Sequence, residues 1–308
     1  MTSVADPIRL GLIGLGRWGK NYARTIAELD GVALSAIATR SALPTGFDGI
    51  AHSTDWRDLC GQVPALDGVI IASDPALHFQ MASSFLAQGI PVIVEKPACD
   101  TVAEAEQLRA LSQAGGVLCM VGYTHLYASA YRALKTKVAA AGAIQAMSSV
   151  GHSAGPFRDK VSVLWDWGSH DVALCLDCLG EAPVDIQITV EETDPSRANA
   201  ALYELTLTFP SGVRSVSRFG NIATAKERSF TVQCETDRFC YDGLDHVLKS
   251  GSGPSGWAAQ DPLGPLPLVN LVGDFTDRLR RGIRSHQSVD LAVEVTRVLS
   301  MADQTLNH

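Results

Sequence analysis

The chain has 308 residues, 33 of them acidic and 25 basic, for a formal net charge of −8. That length suits two modest domains, each with its own core, and the acidic balance excludes a sequence-independent grip on nucleic acid, which needs clustered Lys and Arg. The start, MTSVADPIRLGLIG, has no basic segment leading into an apolar core and cleavage site, and no apolar run approaches the ~18–20 residues of a membrane span. The expectation is a soluble cytoplasmic protein with no membrane partner. Seven cysteines, scattered and odd in number, suit a reducing compartment. Cys175 and Cys178 form a CxxC inside the apolar helical pattern VALCLDCLG with no second pair, so they read as core thiols and no metal site is expected.

In chain order, the first stretch alternates short apolar strands with amphipathic helices: IRLGLIG, RWGKNYARTIAEL, VALSAIAT, DWRDLCG, GVIIAS, PALHFQMASSFLAQG, PVIVE, TVAEAEQLRALSQAG and GVLCMVG. This rhythm predicts an α/β domain over 1–121 with a doubly wound parallel sheet. After Gly122 a helical stretch, Ala128 to Ala141, leads to IQAMSSVGHS and then the helical WDWGSHDVALCLDCLG. Alternating runs follow: VDIQITVEE, ALYELTLTF, VRSVSRFG, RSFTVQCET and RFCYD. They predict a second domain over 122–308 with a mostly antiparallel sheet. The Gly/Pro/Ser-rich segment 250–267 reads as a loop, and two further helical patterns, VNLVGDFTDRLRRG and SVDLAVEVTRVLSMADQ, are placed back against the first domain.

GLGRWG at 14–19 follows an apolar strand and opens a helix. In that setting Gly14 makes a tight turn, Gly16 lets backbone approach a pyrophosphate, and Gly19 lets helix and strand pack closely, with Arg17 and Trp18 in the helix turn that receives the anion. A carboxylate for the adenosine ribose is expected ~20 residues on. That position is Thr39, followed by Arg40 and Ser41, two hydroxyls and a guanidinium suited to a 2′-phosphate. NADP is therefore favoured over NAD.

PVIVEKP ends a buried strand on Glu95, Lys96 and Pro97, at the sheet edge where ligands collect in such folds. Lys96 is either a strand-end charge or a group acting beside the nicotinamide. Asp166 and His170 in LWDWGSHDVAL stand four apart, on one face of a helix, where a carboxylate can fix the imidazole tautomer and raise its basicity.

GLGRWG, SDPALH at 73–78, EKP at 95–97 and D-x-G-x-H at 166–170, in this order, resemble the glucose-fructose oxidoreductase / inositol dehydrogenase (Gfo/Idh/MocA) family. The resemblance implies a Rossmann domain, a C-terminal α+β domain with an open-faced sheet, and a homodimer or homotetramer assembled through that sheet. It implies Lys96, Asp166 and His170 as the catalytic set, Ser73, Pro75, His78, Glu95 and Lys96 at the cofactor, and a cis peptide before Pro97. Tyr123, His125, His152, Arg158 and Asp171 are candidates for the substrate pocket. Two positions depart from the family pattern: Asp74 replaces the usual Thr before Pro75, and Ala173 replaces an acidic residue three places after His170. GYTHLYASAYRALK and GPFRDKVSVLWDWGSHD look most like the branch acting at C3 of nucleotide-linked sugars. The implied activity is NAD(P)-dependent interconversion of a secondary alcohol and a ketone on a sugar, cyclitol or nucleotide-linked sugar. Two other functions fit the same architecture: a non-catalytic dinucleotide-sensing regulator, against which the intact Lys96, Asp166 and His170 weigh, and a reductase of a dihydrodiol or tetrapyrrole.

Overall fold

A computed structural model describes residues 6–61, 66–252, 256–260 and 264–306. Its helices are α1 (Arg17–Ala27), α2 (His78–Ala87), α3 (Val102–Gly115), α4 (Ser129–Ala140), α5 (Ser169–Leu179), α6 (Pro267–Arg281) and α7 (Gln287–Leu306). The chain divides into two compact units, Met1–Gly122 with Leu268–Val293 and Tyr123–Pro267 with Glu294–His308.

The first unit carries β1 (Ile8–Ile13), β2 (Val32–Ala38), β3 (Ala51–Ser53), β4 (Gly68–Ile71), β5 (Val92–Val94) and β6 (Cys119–Val121). They form one sheet in the order β3-β2-β1-β4-β5-β6, and every neighbouring pair is parallel. The all-apolar runs of β4, β5 and β6 are wholly buried, as in parallel strands covered on both faces. Strand order reverses beside β1, so the loops after β1 and β4 part and leave the crevice where sheets of this kind take ligands. TVAE at 101–104 starts α3 with a capping box: Glu104 N donates to Thr101 Oγ1 and Thr101 N donates to the Glu104 carboxylate, both at 3.2 Å. The edge strand β6 is covered from the C-terminal helices, where Ser288 Oγ accepts from Val121 N at 2.9 Å. Two local readings change. DWRDLCG is a short 3-10 helix over Trp56–Cys60 rather than an α-helix, and the three-residue β3 before it carries too little apolar pattern to be read from sequence.

The second unit carries β7 (Ile144–Ala154), β8 (Asp185–Thr193), β9 (Ala201–Thr208), β10 (Arg214–Gly220), β11 (Ile222–Cys234), β12 (Asp237–Asp242), β13 (Val247–Ser252) and β14 (Ala258–Ala259). Their order is β14-β13-β12-β11-β7-β10-β9-β8. The sheet is antiparallel throughout except between β7 and β10. Thus β7, the first strand of this unit in the chain, becomes a central one. The segment expected to be a loop at 250–267 gives the end of β13 and all of β14, paired at Ser250↔Ala258 and Lys249↔Ala259. Gly, Ser and Pro there hide the alternation that marks a strand, and the pairing rests on the backbone. Among the described residues no helix is long and apolar enough to cross a membrane.

Candidate active site

In the first unit the three glycines of GLGRWG each meet a different demand. Gly14 has φ 88°, and a methyl group on it would lie 2.5 Å from the Ala72 carbonyl oxygen. A methyl on Gly19 would lie 2.0 Å from the Gly14 carbonyl oxygen, so strand and helix touch backbone to backbone. A methyl on Gly16 would meet nothing within 4 Å. That open side lies at the start of α1, where Gly16 makes no side-chain cap and the first turn holds no acidic residue. A helix N-terminus with no side-chain cap, no acidic residue in its own first turn and clear space beside Gly16 is suited to a pyrophosphate. The residues present therefore fit a dinucleotide. At the end of β2, Thr39 N is held by Ser53 O at 2.9 Å while Arg40 and Ser41 stand exposed.

The EKP turn is fixed from both sides. Lys96–Pro97 is a cis peptide. The Pro97 carbonyl lies 2.8 Å from His78 Nδ1, and His78 Nε2 lies 3.3 Å from the Ser73 carbonyl. His78 is only 1% exposed, and burial pulls its pKa below the ordinary imidazole value. Glu95 is 6% exposed, and burial pushes its carboxyl above the usual range against hydrogen bonds from Tyr22 and Trp18. The side chains of His78 and Glu95, both named at the cofactor, are buried and hydrogen-bonded to protein groups. Ser73 Oγ turns toward Met81 Sδ at 3.3 Å. Asp74, the departure from the family pattern, caps the short 3-10 turn Pro75–Leu77 by accepting from Ala76 N at 3.3 Å. A Thr hydroxyl can do the same. Lys96 itself is half-buried.

In the second unit WDWG is not the α-helix its spacing suggested. Leu164–Gly168 is a π-helical turn leading into α5, with Asp166 inside it and His170 just beyond. Such turns are rare overall and frequent at functional sites. Arg158 Nε meets Asp166 Oδ2 at 2.8 Å, and the Asp166 side chain is 13% exposed. The His170 ring meets the His125 ring edge-on, with centroids 4.9 Å apart, and His125 Nδ1 lies 2.9 Å from the Tyr241 hydroxyl. Tyr241 is buried, which pushes its phenol up to about 12.

Asp171 does not line a pocket. It is wholly buried, and Arg228 Nη1 donates to both of its oxygens at 3.0 Å. Burial pushes its carboxyl up and Arg228 pulls it back. Asp171 points into the core because it is the next residue after His170, about 100° further round α5. Tyr123 is also buried, and His152 Nδ1 lies 3.0 Å from the Ala225 carbonyl on β11. Cys175 and Cys178 are free thiols pushed up to about 12 by burial, as core thiols are. Sequence reasoning missed Arg228, whose isolated position in a strand carries no motif.

A parallel sheet in this order with this glycine turn defines a Rossmann unit suited to a dinucleotide. The comparisons agree. The model of the GFO_IDH_MocA oxidoreductase family, NAD-binding Rossmann fold, matches residues 8–123. The chain is 23% identical to the rhizopine catabolism protein MocA of Rhizobium meliloti over 88% of this chain and 95% of that one. It is 22% identical to the NADP-dependent scyllo-inositol 2-dehydrogenase IolW of Bacillus subtilis over 83% and 76%. Its match to YceM of Salmonella typhimurium, 26% identical over 52% of this chain, spans about half of that relative, 53%. A solved structure from Magnetospirillum magnetotacticum MS-1, assigned as an oxidoreductase, is 34% identical with TM-score 0.86, covering 96% of this chain and 99% of that one. UDP-N-acetylglucosamine 3-dehydrogenase GnnA of Acidithiobacillus ferrooxidans shares the fold at 18% identity, with TM-score 0.80 over 96% of each chain. GenD2 from gentamicin A biosynthesis, solved with NAD, does so at 19% identity, TM-score 0.82, over 97% and 94%. The chain belongs to the Gfo/Idh/MocA family and is an NAD(P)-dependent dehydrogenase.

Proposed function

We propose that the protein interconverts a secondary alcohol and a ketone on a sugar, cyclitol or nucleotide-linked sugar, in the cytoplasm, as a homo-oligomer assembled through its open sheet, with NADP(H) as the preferred dinucleotide. The observation that carries the chemistry is the start of α5, where a π-turn holds Asp166 one turn ahead of His170 and the His170 ring packs on His125. Bound NAD(P) supplies the acceptor or donor for hydride at the carbinol carbon. His170 takes the hydroxyl proton in oxidation and returns it in reduction, so the alcohol loses one hydride and one proton as its C=O forms. Asp166 holds the charge that His170 gains. The Lys96 ammonium is assigned to the same substrate oxygen, where it stabilises negative charge as the O–H bond weakens. Arg40, exposed beyond β2, is assigned to the 2′-phosphate. The inositol and nucleotide-sugar dehydrogenases among the relatives and fold neighbours support the substrate class.

The test is a panel of inositols, hexoses and UDP-sugars with NAD and NADP in parallel, followed at the absorbance of the reduced nicotinamide, with His170→Ala as control. Turnover of a polyol that disappears in His170→Ala supports the reading. Turnover surviving in that variant removes His170 from the mechanism.

A further inference from the structure

We propose that Glu95 is a positioning residue that ties the first turn of α1 to the backbone of Lys96, so that dinucleotide binding and the aim of the lysine are coupled. The inference rests on the reading of Lys96 given above. Glu95 sits at the end of β5, and its buried carboxylate gathers donors from two directions. On one side Trp18 Nε1 donates to Oε1, and the Tyr22 hydroxyl donates to the same oxygen at 2.7 Å. Trp18 and Tyr22 are four apart, on one face of α1, so one oxygen holds the first two turns of that helix. On the other side Lys96 N donates to Oε2 at 3.2 Å. The residue whose side chain is assigned to the reacting oxygen thus has its own amide tied to the helix assigned to the pyrophosphate.

Two further observations show that the arrangement is built. At the end of β6, a methyl group on Gly122 would lie 2.6 Å from Glu95 Oε1 and 2.9 Å from Cδ, so this glycine leaves the space the carboxylate fills. Beyond Lys96, the Pro97 carbonyl is held by His78. The backbone is therefore fixed both before and after the lysine. A carboxylate only accepts hydrogen bonds, which matches three donors, whereas an amide of the same shape turns an N–H₂ toward at least one of them.

The test uses the full chain as wild type, Glu95→Gln and Gly122→Ala. The second variant displaces the carboxylate without changing its chemistry. Three quantities are read: NADPH affinity by calorimetry, the rate of reductive methylation of Lys96 by mass spectrometry with and without saturating NADPH, and Tm. In the wild type NADPH should change the Lys96 rate several-fold. Both variants should bind NADPH about tenfold more weakly, the scale of a lost hydrogen bond to a charged group, and show little NADPH effect on Lys96. Adding Trp18→Phe to Glu95→Gln should cost little more than Glu95→Gln alone, because both act on one bond. The proposal is overturned if NADPH leaves Lys96 methylation unchanged in wild type. It is also overturned if both variants keep wild-type affinity and Lys96 response while only Tm falls, or if the Trp18 and Glu95 losses add. None of these readouts needs a sugar, so failure of every polyol in the turnover panel refutes the substrate reading alone.

Discussion

Removing the Arg228 guanidinium isolates one interaction behind α5. Arg228 and Asp171 have side-chain exposures of 8% and 0%, with Nη1 at 3.0 Å from both carboxylate oxygens. Arg228→Met keeps an unbranched side chain but leaves Asp171 buried without its counter-charge. Breaking a buried pair from one side costs about 3–5 kcal/mol, because the surviving charge keeps its desolvation penalty. For a unit of this size that corresponds to a Tm loss of roughly 6–20 °C by calorimetry. Adding Asp171→Asn removes the stranded charge, and replacing a whole buried pair by neutral groups is close to neutral. The double variant should therefore recover more than half of the loss. Arg228 Nε and Nη2 are buried and find no acceptor among the described residues, so Met forfeits the side-chain bonds to Asp171. The pH dependence has a definite sign. Without Arg228 the Asp171 carboxyl binds its proton more tightly folded than unfolded, so its penalty is absent below the ordinary value of 3.8, grows as pH rises from there, and is complete once pH passes the raised folded value. The gap in Tm between wild type and Arg228→Met should narrow once pH falls below the raised folded value in the variant. A single variant as stable as wild type, or a double variant no better than the single, refutes the buried-charge argument.

Three further outcomes are expected. Lys96→Ala should lower kcat by ~10²-fold or more with dinucleotide affinity within a few-fold of wild type, measured by steady-state kinetics and calorimetry; kcat within a few-fold removes Lys96 from the chemistry. Asp166→Asn and His170→Ala should each cost most of the rate and flatten the acid limb of the oxidation profile, with the double variant little worse than the worse single; additive losses would mean independent roles. Wild type should bind NADPH ~10–100-fold more tightly than NADH at low salt, and Thr39→Asp with Arg40→Ile should reverse that order, whereas equal or tighter NADH binding shows that Arg40 serves something else.

The parallel sheet was legible because its strands are short continuous apolar runs bounded by helices, a pattern with few competing readings. The glycine turn was legible because its three positions follow from backbone geometry, and the structure gives each a distinct reason. The second sheet was readable as strands but not as an order, since the placing of β7 between β11 and β10 depends on pairings distant in sequence. The π-turn at Leu164–Gly168 was hidden because LWDWG offers the same residues to an α- or a π-helix, and the choice is made by packing. A methyl on Gly168 would lie 2.8 Å from the Phe219 ring.

The charged residues divide more instructively. Glu95, His78 and Asp171 all sit inside or beside motifs, and a charge in a motif invites assignment to a ligand. Each is in fact buried against protein groups, because a strand end or helix start offers two directions and the residue type does not say which one is taken. The missing signal lay in glycines that the motifs do not use. Gly122 leaves room for the Glu95 carboxylate. Gly151 does so for Arg228, since a methyl there would lie 2.2 Å from Nη1, and Gly243 does so for the same side chain, at 2.6 Å from Cγ. None of these three has a positive φ, so backbone conformation does not require them. A glycine within a strand or at its end, where a side chain would cost nothing in φ, is therefore a negative image of a large neighbour. Here the neighbour is twice a buried charge standing next to a residue assigned to the reaction: Glu95 beside Lys96, and Arg228 through Asp171 beside His170. In each unit, then, a buried charged side chain that a glycine leaves room for fixes the backbone or helix that carries a residue assigned to the reaction.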